Sequence, residues 1–497
     1  MFNLKNLLKN QPEYFFLSII IAIGAFFRFY RLGAHDLWFD EACVAMIQYG
    51  QGFSLSGVIS PFFYVILSPW VHFWGMNEFG LRLLPALFSL GSIFLIFLAG
   101  RKLFDAKIGT ISALILAFSP FNIWYAQDLQ SYSLSVFWAL LITYLFLKSV
   151  ESKGLIFWLS YCLALTAGIL TDEFLLCFLP AQAIYLLYRS RSSLRIWVLM
   201  VLPTLILSLS KIISILWSLQ AYGFWVPKPT FISLLFTFEN FNLGYSCPPG
   251  LYVISDLLCI LIIGWAIIGF RKKVSSSPSF IFCLASLLIP LGAIFIISRI
   301  STSIYIDRRL MPLSTFYYMI IAVLLMSIKA RSWRFICIFS WVALLSFGLL
   351  GYYSDYLPDN LKHHLGVLAK EPYRPAVEFI KMHLSKNDLI AHTHNVTLYP
   401  FKFYLKDHPN LRQVFLTSGR STDYWSKIYV RHQDYAWIEQ FPDSWMKHNI
   451  WLVSSNWERN NLSNENEDFI KNWLGDNFRQ DLSVELYGVR IKRYLGN

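Results

Sequence analysis

The residues with the clearest potential for chemistry are two adjacent carboxylates near the N-terminus. Asp40 and Glu41 follow Trp38 and Phe39 and open a short helical pattern, EACVAMIQYG. Partial burial beside aromatic rings raises the pKa of a carboxylate, which suits it to act as a general base. The alternative is that Asp40 only caps this helix through its side-chain oxygen. The pair by itself does not decide between the two interpretations.

Further carboxylates and two adjacent arginines stand at the ends of apolar segments later in the chain. The acids are Asp128 and the pair Asp172 and Glu173, and the arginines are Arg308 and Arg309. A guanidinium at a membrane edge can bind a lipid phosphate through two hydrogen bonds, or it can anchor the chain among headgroups. Carboxylates at membrane depth need partners or a wet cavity, so they mark a candidate functional site.

The elements that position these groups are apolar helices. Of the 497 residues, 56% are hydrophobic and 14% are charged, whereas soluble chains carry about 25% charged residues. Apolar runs of about 20 residues recur and indicate a polytopic membrane protein. We predict eleven spans, at 14–30, 83–100, 108–126, 131–148, 154–171, 173–188, 194–217, 250–270, 279–298, 310–328 and 335–353. The net charge of +12 comes from clusters between these segments, which indicates membrane topology and not a nucleic-acid partner.

The orientation depends on the segment 58–74, which is short and interrupted by Pro61 and Pro69. If it lies at the membrane surface, the basic clusters beside Arg101, Arg189 and the other inner loops all fall on one side, as the positive-inside rule requires. If it spans, they fall outside. We therefore predict a cytoplasmic N-terminus, an extracytoplasmic C-terminus and a gathering of acids on the outer face. Those acids are Asp36, Asp40, Glu41, Asp128, Asp172 and Glu173.

Beyond about residue 371 the composition becomes that of a soluble domain. Helical spacing at 374–384 and 397–405 alternates with strand patterns at 388–392, 414–417, 450–454 and 484–491, and a further helix is predicted near 468–473. This alternation predicts a small α/β extracytoplasmic domain. The expected organisation is a transmembrane domain over residues 1–355, with a first outer loop at 31–82, followed by the α/β domain over 356–497.

Several motifs of the first 190 residues resemble the GT-C membrane glycosyltransferases, specifically the dolichyl-phosphate-mannose protein mannosyltransferase and aminoarabinose transferase group. The motifs are the Asp-Glu pair of the first outer loop, Glu78-Phe79-Gly80-Leu81-Arg82 before Leu84-Pro85, Gly100-Arg101-Lys102-Leu103-Phe104, and Ser119-Pro120 before a Tyr-x-Gln-acid-x-x-x-Tyr run. A later element, Tyr305 to Pro312, is similar to the family's Arg-Tyr-Leu-x-Pro.

The resemblance implies a GT-C-like fold and an enzyme that uses a polyprenyl-phosphate sugar as donor. It places Asp40 on the family's catalytic aspartate. As further catalytic residues we expect Glu41 and Asp128, which would hold the acceptor or orient the sugar. The expected donor phosphate-binding residues are Arg308 and Arg309, and the expected substrate-binding residues are Gln127, Tyr132, Asp172, Glu173 and Tyr305. Two departures from the family pattern are Gln130, where arginine is usual, and the Asp172-Glu173 pair, which raises the question of a different sugar or acceptor.

The donor class sets the mechanism that we expect. A lipid phosphate leaves as a stable anion, so one base and a cationic cradle suffice, and the anomeric centre is inverted. The acceptor is a lipid, a glycan or a protein on the outer face of the cell inner membrane, and membrane lipids surround the enzyme. No cofactor is required and no metal site is predicted, although a divalent cation between Asp40 and Asp128 is compatible with the sequence.

Two rival functions remain open. A transporter or flippase of a lipid-linked substrate is expected to show repeats and intramembrane charges. No repeat is evident, and Lys211 is the main charge inside a predicted span. A non-catalytic scaffold on the same fold would explain the departure at Gln130.

Overall fold

The computed structural model describes residues 12–50, 60–222, 226–269, 277–358, 371–385, 388–417, 435–438, 441–455 and 464–496. The chain divides into two compact units. The helical unit comprises Met1–Leu32, Leu55–Gly75 and Arg82–Val367, and the sheet unit comprises Gly33–Ser54, Met76–Leu81 and Leu368–Asn497. Part of the predicted first outer loop is therefore grouped with the C-terminal residues. The domain boundary at residue 355 stays a prediction.

Most described residues are helical. In chain order the α-helices are α1 (Pro12–Phe29), α2 (Phe39–Gly50), α3 (Pro61–Trp74), α4 (Glu78–Leu103), α5 (Ala106–Phe118), α6 (Pro120–Ala126), α7 (Tyr132–Ser152), α8 (Leu155–Thr171), α9 (Leu179–Arg189), α10 (Leu194–Tyr222), α11 (Phe231–Leu243), α12 (Pro249–Gly269), α13 (Pro278–Ile300), α14 (Met311–Ser327), α15 (Arg331–Tyr353), α16 (Tyr373–Met382), α17 (Asn395–Tyr404) and α18 (Asn464–Asn477). Short 3-10 helices occupy Glu173–Phe178, Arg191–Ser193, Asp307–Leu310 and Asp443–Lys447.

Length and composition identify the membrane-spanning helices. Among the described residues, seven helices are long and apolar enough to cross a membrane, or eight if the bent pair α5 and α6 is one span. Each predicted span is helical over most of its described residues. The polytopic membrane architecture is confirmed, and the number eleven stays a prediction. The segment around α3 forms a helix of 14 residues, which is short for a crossing.

Two predicted spans are broken, and the local sequence explains the first break. The axis bends by 59° between α5 and α6 because Pro120 has no N–H and disfavours helical geometry at Ser119. Ser119 then caps α6 by accepting a hydrogen bond from the backbone N–H of Asn122 at 3.2 Å. The segment 173–188, predicted as one span, is instead the 3-10 helix Glu173–Phe178 followed by α9.

The sheet unit contains a six-stranded mixed sheet. Its strands are β1 (Asp388–His392), β2 (Arg412–Thr417), β3 (Tyr435–Trp437), β4 (Asn449–Ser455), β5 (Arg479–Leu486) and β6 (Val489–Leu495). The strand order is β3-β2-β1-β4-β6-β5. The first four strands in this order are parallel, and β6 is antiparallel to both of its neighbours. The small α/β fold predicted for this region is confirmed.

Alternate residues of the central strands are buried on opposite faces of the sheet. Leu389, Val414 and Leu452 pack on one side with residues of α18. Ile390 and Trp451 pack on the other side with residues of α16 and α17. The single strand predicted at 484–491 is wrong, because the chain reverses at Gly488, where a positive φ of 80° favours glycine, and forms the hairpin of β5 and β6.

Candidate active site

The helical unit holds a carboxylate between two cations. Glu173 accepts a hydrogen bond from Nη1 of Arg309 through Oε1 at 2.8 Å, and its Oε2 lies 3.2 Å from Nζ of Lys211. The Lys211 ammonium also donates to the backbone carbonyl of Ile169 at 2.8 Å. These groups come from α10, the 3-10 helix Glu173–Phe178 and the 3-10 helix Asp307–Leu310. The fold therefore joins residues that are far apart in sequence.

Asp172 has a local role in the same region. Its backbone N–H ends α8 by donating to Gly168 O at 2.8 Å, and its side-chain Oδ1 accepts from the N–H of Phe174 at 3.1 Å. The buried carboxylate thus caps the 3-10 helix that carries Glu173. Asp172 also lies within electrostatic range of Lys211 and Arg309. In this pair, Asp172 orients the backbone and Glu173 binds cations, and their predicted contacts with substrate stay predictions.

The two predicted phosphate-binding arginines have different surroundings. Arg309 lies over the ring of Phe174 at 5.3 Å and pairs with Glu173. Arg308 is buried and lies over the ring of Tyr132 at 5.8 Å. Adjacent positions on a 3-10 helix point in different directions, which separates the two guanidinium groups.

The 3-10 helix that carries these arginines is tied to α11. Asp307 accepts hydrogen bonds from Thr237 at 3.2 Å and from Asn240 at 2.8 Å. The Tyr305 hydroxyl lies 2.6 Å from the hydroxyl of Thr237. The Tyr305 hydroxyl thus holds the segment that precedes Arg308, and the predicted contact of Tyr305 with substrate stays a prediction.

Aromatic groups connect Arg308 with Asp128. Tyr125 on α6 packs against Tyr132 with ring centroids 5.2 Å apart, and its hydroxyl lies 3.0 Å from that of Tyr245. Tyr125 interacts electrostatically with Arg308, Tyr132 and Asp128. Asp128 is buried immediately beyond α6. Asp128 and Arg308 therefore lie around one tyrosine cluster.

Gln127 fixes the end of the broken span. Its amide Nε2 donates to the carbonyl oxygens of Phe27, Arg28 and Tyr30 at 2.9 to 3.1 Å, and its Oε1 accepts from Tyr352 at 2.8 Å. The three carbonyls are at the end of α1, where backbone acceptors have no helical partner. Gln127 thus holds α1 and α15 beside Asp128. The predicted contact of Gln127 with substrate stays a prediction.

The bend itself is stabilised by a buried arginine. Arg28 on α1 donates to the carbonyl oxygens of Leu116 and Ala117, at 3.1 and 3.2 Å, and to the Ser89 hydroxyl at 2.8 Å. The two carbonyls belong to the last turn of α5, which the bend leaves without partners. Arg28 therefore helps to place α6 and the acid that follows it.

In the sheet unit, Asp40 and Glu41 lie in the first turn of α2. Glu41 is fully buried, and its Oε2 accepts from the backbone N–H of Trp38 at 3.4 Å. Asp40 is half-buried. The carboxylate that engages the start of the helix is thus that of Glu41. The predicted alternative, a cap formed by Asp40, and the catalytic roles of both acids stay predictions.

The segment before Asp40 is held by two helices of the same unit. The Tyr404 hydroxyl accepts from the N–H of Leu37 and donates to Glu78, each at 2.8 Å. The backbone N–H of Arg374 donates to Asp36 at 2.8 Å, and its guanidinium pairs with Glu78. Helix α2 packs against α17. The catalytic candidate Asp40 is thereby carried on an ordered support.

The side chains considered as metal ligands are those of His, Cys, Asp and Glu. Across the described ranges, no three or more His, Cys, Asp or Glu side chains are arranged to hold a metal ion. The residues of the helical unit instead form ion pairs and aromatic contacts. The divalent cation that the sequence allows between Asp40 and Asp128 stays a prediction.

The chain is similar to one family model and to several solved structures. A family model described as dolichyl-phosphate-mannose-protein mannosyltransferase matches residues 60–217. The apo structure of ArnT from Cupriavidus metallidurans is 13% identical and covers 96% of this chain and 97% of that chain, with a TM-score of 0.66. The chain has the fold of this ArnT structure. The predicted resemblance to GT-C glycosyltransferases of the ArnT and mannosyltransferase type is confirmed.

Two further solved structures are also similar. ArnT from Cupriavidus metallidurans bound to undecaprenyl phosphate is 14% identical, with a TM-score of 0.61 and coverage of 96% of this chain and 97% of that chain. The Archaeoglobus fulgidus oligosaccharyltransferase in complex with Zn and sulfate is 12% identical, with a TM-score of 0.52 over 88% of this chain and 68% of that chain. No curated protein matches the sequence.

Sequence reasoning assigned no role to Lys211 and Asp307. A lysine inside an apolar helix was a usable signal, because an intramembrane charge requires a partner. Its partner Glu173 could not be deduced, since no spacing rule connects α10 with the 3-10 helix after α8. Asp307 gave no separate signal beside the two arginines that follow it.

Proposed function

We propose that the protein is an integral-membrane glycosyltransferase that moves a sugar from a polyprenyl-phosphate donor to a lipid, glycan or protein acceptor. The observation that carries the proposal is the arginine pair of the 3-10 helix Asp307–Leu310, positioned within a GT-C fold. Two adjacent arginines in a membrane unit suit a lipid phosphate, because such a ligand brings both an anion and an apolar tail. The undecaprenyl phosphate of the similar ArnT structure supports the same donor class.

The proposed chemistry is a single displacement. Asp40 takes the proton from the acceptor hydroxyl or amine as its heteroatom bonds to the anomeric carbon. The bond between that carbon and the phosphate oxygen breaks, and the configuration inverts. Polyprenyl phosphate leaves as an anion, which Arg308 and Arg309 stabilise. Asp128 orients the sugar, and no general acid is needed for the leaving group.

The proposed cellular setting follows from the charge pattern of the sequence. We place the protein in the cell inner membrane, with its N-terminus in the cytoplasm and the sheet unit on the outer face. Transfer then takes place on the outer face, where a lipid-linked donor supplies the sugar without a nucleotide.

The test is transfer from a panel of radiolabelled polyprenyl-phosphate sugars into membrane extracts. Purified wild-type protein is compared with Asp40→Asn, which removes the base at nearly constant size. We expect the variant to lose transfer by about 100-fold or more, because general base catalysis contributes about that much. The matched control is Asp476→Asn, the same substitution at an exposed position of α18 in the same unit. Full transfer by Asp40→Asn would reject Asp40 as the base, and no transfer from any donor would reject the proposed activity.

A further inference from the structure

A lysine inside the membrane needs a reason to be there. Lys211 lies in α10, an apolar helix, and its side chain is only 8% exposed. A charged side chain in such a place is costly unless it has partners, and residues of this kind commonly have functional roles. The partners of Lys211 are Glu173 and the carbonyl of Ile169. The lysine therefore acts on the acid that binds Arg309.

The two oxygens of Glu173 are divided between two cations. Oε2 faces Lys211, and Oε1 accepts from Nη1 of Arg309. A carboxylate and a guanidinium without competitors tend to form two parallel hydrogen bonds. Lys211 occupies the oxygen that a second bond would use. Glu173 consequently holds Arg309 through one nitrogen.

This arrangement leaves donors of Arg309 available. Its side chain remains 23% exposed, and among the described residues Glu173 is the acceptor of the hydrogen bond that the guanidinium makes. The ring of Phe174 supports the guanidinium from one side at 5.3 Å. Arg309 is therefore both fixed in position and able to donate to an anion.

We infer that Lys211 is a positioning residue that keeps Arg309 open to a lipid phosphate by occupying one oxygen of Glu173. The inference rests on the proposed function and assigns Glu173 to the support of the phosphate site. Without Lys211, Glu173 is free to bind Arg309 through both oxygens, which withdraws donors from the ligand and screens the charge. Affinity for the lipid phosphate is then lost although both arginines remain.

The experiment measures binding of radiolabelled undecaprenyl phosphate to the purified full-length protein in detergent. We expect Lys211→Met to weaken binding about tenfold, and Lys211→Arg to restore most of it, because arginine retains the cation. The matched control is Lys102→Met. It breaks an ion pair with Glu151, whose side chain is 66% exposed, and it should leave binding unchanged.

A double-mutant cycle separates positioning from a general structural effect. In an Arg309→Ala background, Lys211→Met should cause no further loss, because the lysine acts only through that arginine. An equal loss in both backgrounds, or wild-type affinity in Lys211→Met, would overturn the inference. If Lys211→Met does not fold, the charge-balanced variant Lys211→Met/Glu173→Gln is measured instead. It should bind close to wild type, because an amide offers Arg309 one neutral acceptor and cannot take two of its hydrogen bonds, and a loss of about tenfold in this variant would overturn the inference.

The same binding measurements distinguish a failure of the proposed function from a failure of this inference. Wild-type protein that shows no saturable binding of undecaprenyl phosphate would contradict the donor class, and this inference with it. Wild-type binding that depends on Arg308 and Arg309 but not on Lys211 would support the donor class and reject the positioning role alone.

Discussion

The stability of the sheet unit should depend on pH through one buried carboxyl group. Glu371 is 8% exposed, and it accepts hydrogen bonds from Tyr373 and, at 3.2 Å, from the Ser455 hydroxyl. Burial raises the pKa of Glu371 from the usual 4.5 to about 7, although these two hydrogen bonds act in the opposite direction. The folded unit therefore favours the protonated carboxyl.

The magnitude follows from proton linkage. A folded pKa above the unfolded value gives stability that is complete below about pH 4.5, decreases as the pH rises to about 7, and is lost above it. The substitution Glu371→Gln removes the titration and keeps the shape. The difference in free energy of unfolding between this variant and wild type should grow by about 2 kcal/mol in favour of the variant from about pH 5.5 to about pH 8. This value uses about 1.36 kcal/mol per pKa unit.

Hydrogen exchange of the full-length protein in detergent measures this difference. Peptides that cover β1 and β4 report opening of the sheet core, and comparing the two proteins at the same pH cancels the intrinsic exchange rate. A change of about 2 kcal/mol corresponds to a factor of roughly 30 in exchange rate. The ratio of the wild-type exchange rate to that of the variant should therefore rise roughly 30-fold from the lower to the higher pH. Glu378→Gln is the matched control, because that side chain is 56% exposed. A difference between variant and wild type that is equal at both pH values would refute the reasoning.

Two further predictions concern packing in the helical unit. A Cβ on Gly109 would lie 2.6 Å from Phe97 O and 2.9 Å from Arg101 N, so Gly109→Ala must separate α4 from α5 and should cost about 1–3 kcal/mol. Thermal unfolding in detergent checks this, with Gly292→Ala as control, because nothing lies within 4 Å of that Cβ. Arg28→Met removes the donors to Leu116 O and Ala117 O and should cost roughly 2–5 kcal/mol in the same assay. Wild-type stability of Arg28→Met would contradict its role in holding the bend.

Local patterns in the sequence were sufficient for the architecture. Apolar runs predicted the helices because each span must satisfy its own backbone hydrogen bonds, and alternating elements predicted the α/β unit. The hairpin at Gly488 was missed since the residues on both sides of it share a strand pattern. Pro120 explains the break at Ser119-Pro120 once the structure is known. The apolar run on both sides of it, however, favoured the prediction of one continuous span.

Describing the candidate site required both the sequence and the tertiary structure. The sequence by itself determined which residues carry charge in an apolar setting: Glu173, Arg309 and Lys211 must each find a partner, because an unpaired charge at membrane depth is costly. Only the tertiary structure decided that these three are partners, since α10 and two separate 3-10 helices bring them together. Gln127 shows the same limit, because its hydrogen-bond acceptors belong to the end of α1, about 100 residues away. Side-chain type is local information, whereas the identity of a partner is set by the packing of distant helices.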